Sequence, residues 1–142
     1  MVVKQLSVLL PNVPATLSRI TAILEQEGIS AKAIVQAGTA EQSMVRLVVN
    51  DPERAAAILT TFGYTHEIED VLAAEVPIHP GGMEAILKPL AAGGINILYL
   101  YTTINRLGRE TIVILGVDKI DDAKRILHDN WISLLGDEVY SL

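Results

Sequence analysis

Cysteine is absent from this sequence, which excludes disulfides, thiolate nucleophiles and cysteine-based metal sites. A reducing cytoplasm is the expected compartment. Aromatic residues are scarce, at 4%, so Val, Ile, Leu and Ala must fill any core. Basic residues are outnumbered: 11 Lys and Arg against 17 Asp and Glu leave a net charge of −6. That balance argues against non-specific nucleic-acid binding, which needs a basic face. No run approaches the roughly 18 apolar residues that a membrane helix needs. The opening "MVVKQLSVLL" reads as a strand, and no small-residue cleavage site follows it, so no signal peptide is expected. His66, His79 and His128 lie at no metal-ligand spacing. There is no Gly-x-Ser-x-Gly elbow, no P-loop and no Gly-x-Gly-x-x-Gly. Catalytic residues, metal sites and cofactors are therefore not expected, and neither is an enzyme.

Apolar residues make up half of the 142 positions and charged residues 20%, a balance that supports a packed core. The chain is also written twice. "PNVPATLSRITAILEQEGIS" and "PIHPGGMEAILKPLAAGGIN" align at an offset of 66 residues, which joins Pro14 to Pro80, Ile20 to Ile86, Leu24 to Leu90, Gly28 to Gly94 and Ile29 to Ile95. Leu17 and Met83 form a volume-conserving pair. Further along, Ile58 and Leu59 match Ile126 and Leu127 at an offset of 68. Two copies of a unit of about 70 residues are expected, spanning 1–70 and 71–142.

Each copy carries the same order of patterns. In the first, "VKQLSVLL" reads as a strand. Pro14 opens a helix with Leu17, Ile20 and Leu24 at helical spacing, and Gly28 stops it. "ISAKAIVQAG" and "SMVRLVVN" read as paired strands. "DPERAAAILTTF" is a helix with Asp51 as N-cap, Pro52 at its first position, and Ala55, Ile58, Leu59 and Phe62 facing inward. "YTHEIE" is a fourth strand. The second copy offers "VLAAEVPI", a helix from Met83 to about Ala92, the hairpin "INILYLYTT"/"RETIVILGV" around "NRLG", the helix "DDAKRIL" and the strand "WISLL". Pro89 is expected to kink the helix that contains it.

The order βαββαβ, with right-handed crossovers and both helices on one face, predicts an α+β fold: two tandem ferredoxin-like units, each an antiparallel four-stranded sheet. The first and third strands of each unit are expected to be central and parallel, and their near-continuous apolar runs predict burial on both faces. Helices can cover one face only, so the other requires a second sheet from this chain or from another. No Gly- or Ser-rich linker separates the copies, so rigid association is expected.

A βαββαβ unit whose first helix opens with an Asn/Asp-x-Pro-Gly loop and closes with Gly-Ile-Asn resembles an ACT domain. The matching stretches here are "NVPATL" with "EGIS", and "HPGGM" with "GGIN". Over essentially its whole length the chain resembles stand-alone proteins made of two tandem ACT domains. The resemblance implies an amino acid or similar effector bound between paired domains, and regulation of an enzyme of amino-acid metabolism. The motif's residues carry over onto Asn12, Val13, Pro14, Ala15 and Thr16, onto His79, Pro80, Gly81, Gly82 and Met83, and onto Asn96.

The chemistry of such a loop follows from the helix start. The first N–H groups of a helix lack partners within it and, with the helix dipole, suit an anion such as a carboxylate. Gly81 and Gly82 allow close approach to the backbone. Yet the copies divide the pattern. The first keeps Asn12 but has Ala15 and Thr16 in place of glycines; the second keeps both glycines but has Ile78 at the Asn/Asp position. Either the two half-motifs combine in one site, or binding is degraded. The plainer reading is that Pro14 and Pro80 simply start helices.

Among the remaining candidates, His79 is the histidine to test for ligand contact, His128 suits a helix C-terminus, and His66 reads as a solvated strand residue. Tyr99 and Tyr101 share a strand face that either packs or borders the pocket. Arg106 and Arg109 flank the hairpin and are expected in solvent. The leading expectation is a sensor in which an amino acid binds at a first-helix N-terminus and shifts what a likewise homodimeric protein presents to an enzyme partner. The alternative is an oligomerisation or interaction module with a vestigial effector site. An acylphosphatase-like enzyme would need an arginine in the first loop, and neither copy has one.

Overall fold

A computed structural model describes residues 2–77, 79–104 and 110–142. The chain forms two compact units, made chiefly of residues 4–69 and 70–140. The first holds β1 (Val3–Pro11), α1 (Thr16–Gln26), β2 (Ala31–Gly38), β3 (Gln42–Val49), α2 (Pro52–Thr61) and the start of β4 (His66–Pro77). The second holds the rest of β4, α3 (Glu84–Ala92), β5 (Ile97–Ile104), β6 (Glu110–Val117), α4 (Ile120–Asp129), β7 (Ser133–Leu135) and a closing 3-10 turn (Asp137–Ser141). In the first unit the strand order is β2-β3-β1, and Leu9 donates to the Thr65 carbonyl (3.0 Å) where β4 begins. In the second it is β5-β6-β4-β7. Each is a ferredoxin-like α+β unit.

The first and third strands of each unit are antiparallel, not parallel as expected. The crossover helix makes the first and second strands parallel, and the tight hairpin then turns the third back against both. The strands read separately as "YTHEIE" and "VLAAEVPI" are a single element, β4. Phe62, expected inward, is 57% exposed, because it caps α2 beyond its last inward turn, and Tyr64 packs on the core in its place. His66 is half-buried, its Nδ1 2.8 Å from the Tyr64 carbonyl. The hairpin turn "NRLG", with Arg106 and Arg109, and Ile78 lie outside the described residues.

Each unit buries an aliphatic layer between its helices and its sheet. In the first, Ile20, Leu24, Ala55 and Leu59 meet Leu6, Val8 and Leu47. In the second, Ile86, Leu90, Ala123 and Leu127 meet Leu72, Ala74, Val113 and Leu115. Successive residues from Ile112 to Leu115 are all fully buried, so both faces of β6 are shut from solvent, as its unbroken apolar run predicts. Pro89 lies inside α3, which continues through Ala92 and bonds Gly93 back to the Pro89 carbonyl (3.0 Å). Pro89, the sixth of nine helical residues, has no N–H for the Ala85 carbonyl, and the helix forgoes that one bond and still closes at Gly93.

The repeat extends to the hydrogen bonds. Both units carry a register irregularity at the start of the second strand, between Ala31 and Ala33 and between Ile97 and Tyr99. Both tie the second strand to the end of the third. Asn50 Oδ1 accepts from Ser30 N–H (2.9 Å), and Asp118 Oδ1 accepts from Asn96 N–H (3.0 Å). The carbonyl of the glycine behind the first helix is also satisfied in both, Gly28 by Asn50 Nδ2 (3.1 Å) and Gly94 by Lys119 Nζ (3.5 Å). One asparagine thus makes both bonds in the first unit, where the second divides them between an acid and a base. Asn50→Ala is expected to lower the unfolding free energy by about 1–2 kcal/mol, read from a urea midpoint. Asn50→Asp, which keeps the acceptor, should cost less.

Candidate functional site

In each unit the first strand ends at a proline, Pro11 or Pro77, and the chain turns there into the loop before the first helix. The turn is the same in both. Val13 N–H donates to the Pro11 carbonyl and His79 N–H to the Pro77 carbonyl, each at 3.0 Å. Ala15 and Gly81, which correspond at the repeat offset, both have left-handed backbone, with φ of 73° and 94°. The carbonyl of each accepts from the N–H four residues on, Arg19 at 3.0 Å and Ala85 at 3.1 Å. Neither proline starts a helix: α1 begins at Thr16 and α3 at Glu84, and Pro14 and Pro80 instead fix φ within the turn. Among the described residues no side chain caps either helix start, and in α3 backbone carbonyls, Gly81 and Met83, take the Ala85 and Ile86 N–H groups (3.1 and 3.0 Å).

Side-chain chemistry separates the two loops. In the first, Asn12 donates its amide to the Thr39 carbonyl (2.8 Å) and its backbone N–H to the Glu41 carbonyl (3.0 Å), fastening the loop to the β2–β3 turn. Thr16 Oγ1 donates toward the Pro11 and Val13 carbonyls, at 3.2 and 3.0 Å. Val13 is 55% exposed and touches no core. In the second loop Gly82 stands where Thr16 stands in the first. A Cβ there would come within 2.6 Å of the Pro77 carbonyl oxygen, so no side chain fits. His79 Nδ1 lies 2.8 Å from the Pro80 carbonyl. Beside this loop opens a hollow of about 470 Å³ lined by Val76, Pro77, His79, Pro80, Met83 and Thr111.

The structure therefore brings His79, Pro80 and Met83 to one hollow, with Gly81 and Gly82 shaping its backbone. It does not bring Asn96 there. Asn96 follows the far end of α3, a nine-residue helix about 13 Å long. Its backbone bonds to Asp118, the carboxylate accepting from Asn96 N–H and Asp118 N–H donating back to the Asn96 carbonyl (3.2 Å). Tyr99 lies with its ring over Gly116, where a Cβ would collide with it, and Tyr101 is buried. These are packing roles. Thr111 was not legible as a site residue, because its place opposite Val76 is set by the β4–β6 register. On the other face of the same strands, Glu75 hydrogen-bonds Glu110 and, with the like-charge repulsion between them and some desolvation, raises the Glu110 pKa. Among the described residues no cluster of three or more His, Cys, Asp or Glu could hold a metal, and no helix is long and apolar enough to cross a membrane.

The family model for the ACT domain pair matches residues 1–141. The chain belongs to the ACT domain family. Protein BT0572 from Bacteroides thetaiotaomicron is 30% identical and superimposes with a TM-score of 0.93, over 100% of this chain and 98% of that one. The regulatory subunit of aspartate kinase from Thermus thermophilus, in its ligand-free form, shares the fold at 18% identity and a TM-score of 0.65, covering 89% and 91% of the two chains. Aspartokinase alpha and beta subunits do so at 21% and 0.58, covering 92% and 96%. A comparison with curated protein sequences finds no match. The ACT pair is a regulatory domain family, and the two loops described above are the first loops of its two domains.

Two stability changes follow from the loop geometry. Ala15→Gly should raise stability by about 1 kcal/mol, since glycine adopts left-handed backbone without the Cβ penalty. Gly82→Ala should lower it by about 1–3 kcal/mol through the contact with the Pro77 carbonyl. Thermal midpoints of the two variants measure both. The Glu75–Glu110 pair carries a pH dependence. A raised pKa means that the folded state favours protonated Glu110, so the contribution is full in acid and is lost as pH rises through the raised value. Glu110→Gln keeps a donor for Glu75 and should remove that slope from a plot of urea midpoint against pH.

Proposed function

We propose that this ACT pair is a sensor of a small amino-acid-like effector, and that it reports effector level to an enzyme or regulator of amino-acid metabolism. The observation that carries the reading is the second loop. There an open hollow of about 470 Å³ is lined by His79, Pro80 and Met83, the residue that leads into an uncapped helix, with a left-handed Gly81 and a side-chain-free Gly82 between them in the chain. A carboxylate suits the helix start at Met83 and Glu84, ahead of the Ala85 and Ile86 N–H groups that the Gly81 and Met83 carbonyls already take, and His79, Met83 and Thr111 offer polar and apolar contact to the rest of an amino acid. Residues 12 to 16 form the counterpart in the first domain. Binding biases one arrangement of a homodimer over another, and a protein partner reads the difference. The aspartate kinase structures show that this fold serves there as a regulatory subunit.

A second reading rests on the first loop. Asn12 and Thr16, its polar side chains, are bonded to their own backbone surroundings, as in a loop that stabilises itself. On that reading the chain is an interaction module whose effector site is vestigial. Isothermal titration of each standard amino acid at millimolar concentration separates the two. Heat for one of them, abolished by Gly82→Ala in folded protein, supports the sensor. If no amino acid gives heat or a thermal shift, and a protein partner captured by pull-down is indifferent to them all, the sensor reading fails.

A further inference from the structure

Among the described residues all four α-helices end in the same way. The residue after the cap turns left-handed, its N–H and the next residue's N–H close back on the last helical turn, and the chain leaves for the next strand. Glycine holds the left-handed position behind α1, α2 and α3: Gly28, Gly63 and Gly94, with φ of 78°, 77° and 72°. Behind α4 the residue is Trp131, with φ of 61°. Its bonds are those of the other three: Trp131 N–H to the His128 carbonyl (3.1 Å) and Ile132 N–H to the Leu127 carbonyl (3.0 Å). A bulky residue is a poor occupant of this conformation, where its Cβ crowds the neighbouring carbonyl. Trp131 is also the only tryptophan of the chain and is 95% exposed. Burial in this chain gives it no stabilisation to offset the strain. Strained backbone persists where it serves something else.

Beside the indole lies a place for one. Trp131 borders a hollow of about 440 Å³ with His128, Ile132 and Ser133. An adjoining hollow of about 580 Å³ is floored by Ile132 and Leu134 and edged by Lys124, Arg125 and Asp121. The apolar floor suits the body of an aromatic ring, and the cations at the edge suit its negative face. Knob and hollow share one patch, through His128, Ile132 and Ser133, as a two-fold contact between copies requires. The patch carries both signs of charge, Asp121 and Asp129 beside Lys124, with Arg125 paired to Asp122 (3.1 Å). A second copy of this mixed patch therefore meets it with less repulsion than a net charge of −6 would otherwise bring. We propose that the α4–β7 surface is a self-association site, in which Trp131 of one chain inserts into the hollow under Lys124 and Arg125 of a second copy.

This surface shares no residue with either loop and holds or fails independently of the effector. As the only tryptophan, Trp131 reports on itself. Emission and weight-average mass are followed together over a concentration series of the full chain. The expected result is a shift of emission to shorter wavelength in step with a doubling of mass. Trp131→Gly restores the residue used at the other three helix ends, so it should raise the thermal midpoint while halving the mass at the same concentration; lost association then cannot be a folding defect. Lys124→Glu in the otherwise unchanged chain should return the emission to that of an exposed indole. The proposal is overturned if emission stays at the exposed-indole wavelength at every concentration, or shifts only on addition of a different protein, or if Trp131→Gly leaves the mass unchanged.

Discussion

In each unit everything hangs on the aliphatic layer between the helix pair and the sheet. Side chains such as Leu24, Leu59, Leu90 and Leu127 are almost wholly buried in it, and each contributes about 1.5–3 kcal/mol relative to exposure. That layer fixes where the first helix lies on the sheet. The helix position in turn fixes how far the chain must travel from the end of the first strand to the first helical turn. The loops at residues 11–16 and 77–83 are bridges of set length between two rigid supports. Their shared backbone follows from the shared core, although their side chains differ.

The carbonyl at the end of the first strand shows how one geometry takes two chemistries. At Pro11 it accepts from Val13 N–H and from the Thr16 hydroxyl. At Pro77 it accepts from His79 N–H, while Gly82 passes too close for any side chain. The first loop closes with a threonine hydroxyl on that carbonyl, and the second leaves the same position without a side chain. The Asn50 latch and its divided counterpart, Asp118 with Lys119, repeat the theme away from the loops. Tyr99 over Gly116 does so inside the sheet, where the corresponding strand pair in the first unit is Ala33 with Val48.

Much of this was legible beforehand. Aliphatic spacing at Ile20, Leu24, Ile86 and Leu90 marked the helix faces, because a 3.6-residue period leaves few other uses for such a pattern. Asp51 followed by Pro52 marked the start of α2, where the aspartate accepts from Arg54 N–H (3.2 Å). The helix read as opening at Pro14 was placed too early, since a proline suits a preceding turn as well as a first helical residue, whereas the one read from Met83 begins at Glu84. The direction of the third strand was misjudged, though the hairpin before it already required the reversal. Nothing in the spelling of Asn96 distinguished a residue held by its backbone from one that reaches into a site.

The sequence alone determined the repeat, the order of elements, the apolar faces and the two divided loop motifs, because these depend on residue type and spacing along one strand or helix. Only the tertiary structure decided which residues meet. The β4–β6 register brought Thr111 to the hollow beside His79, and the length of α3 kept Asn96 away from it. It also decided that Trp131, which reads as the start of a strand, turns left-handed into solvent. A helix end closes by hydrogen bonds to carbonyls three and five residues back, and those bonds fix the backbone there whatever side chain the position carries.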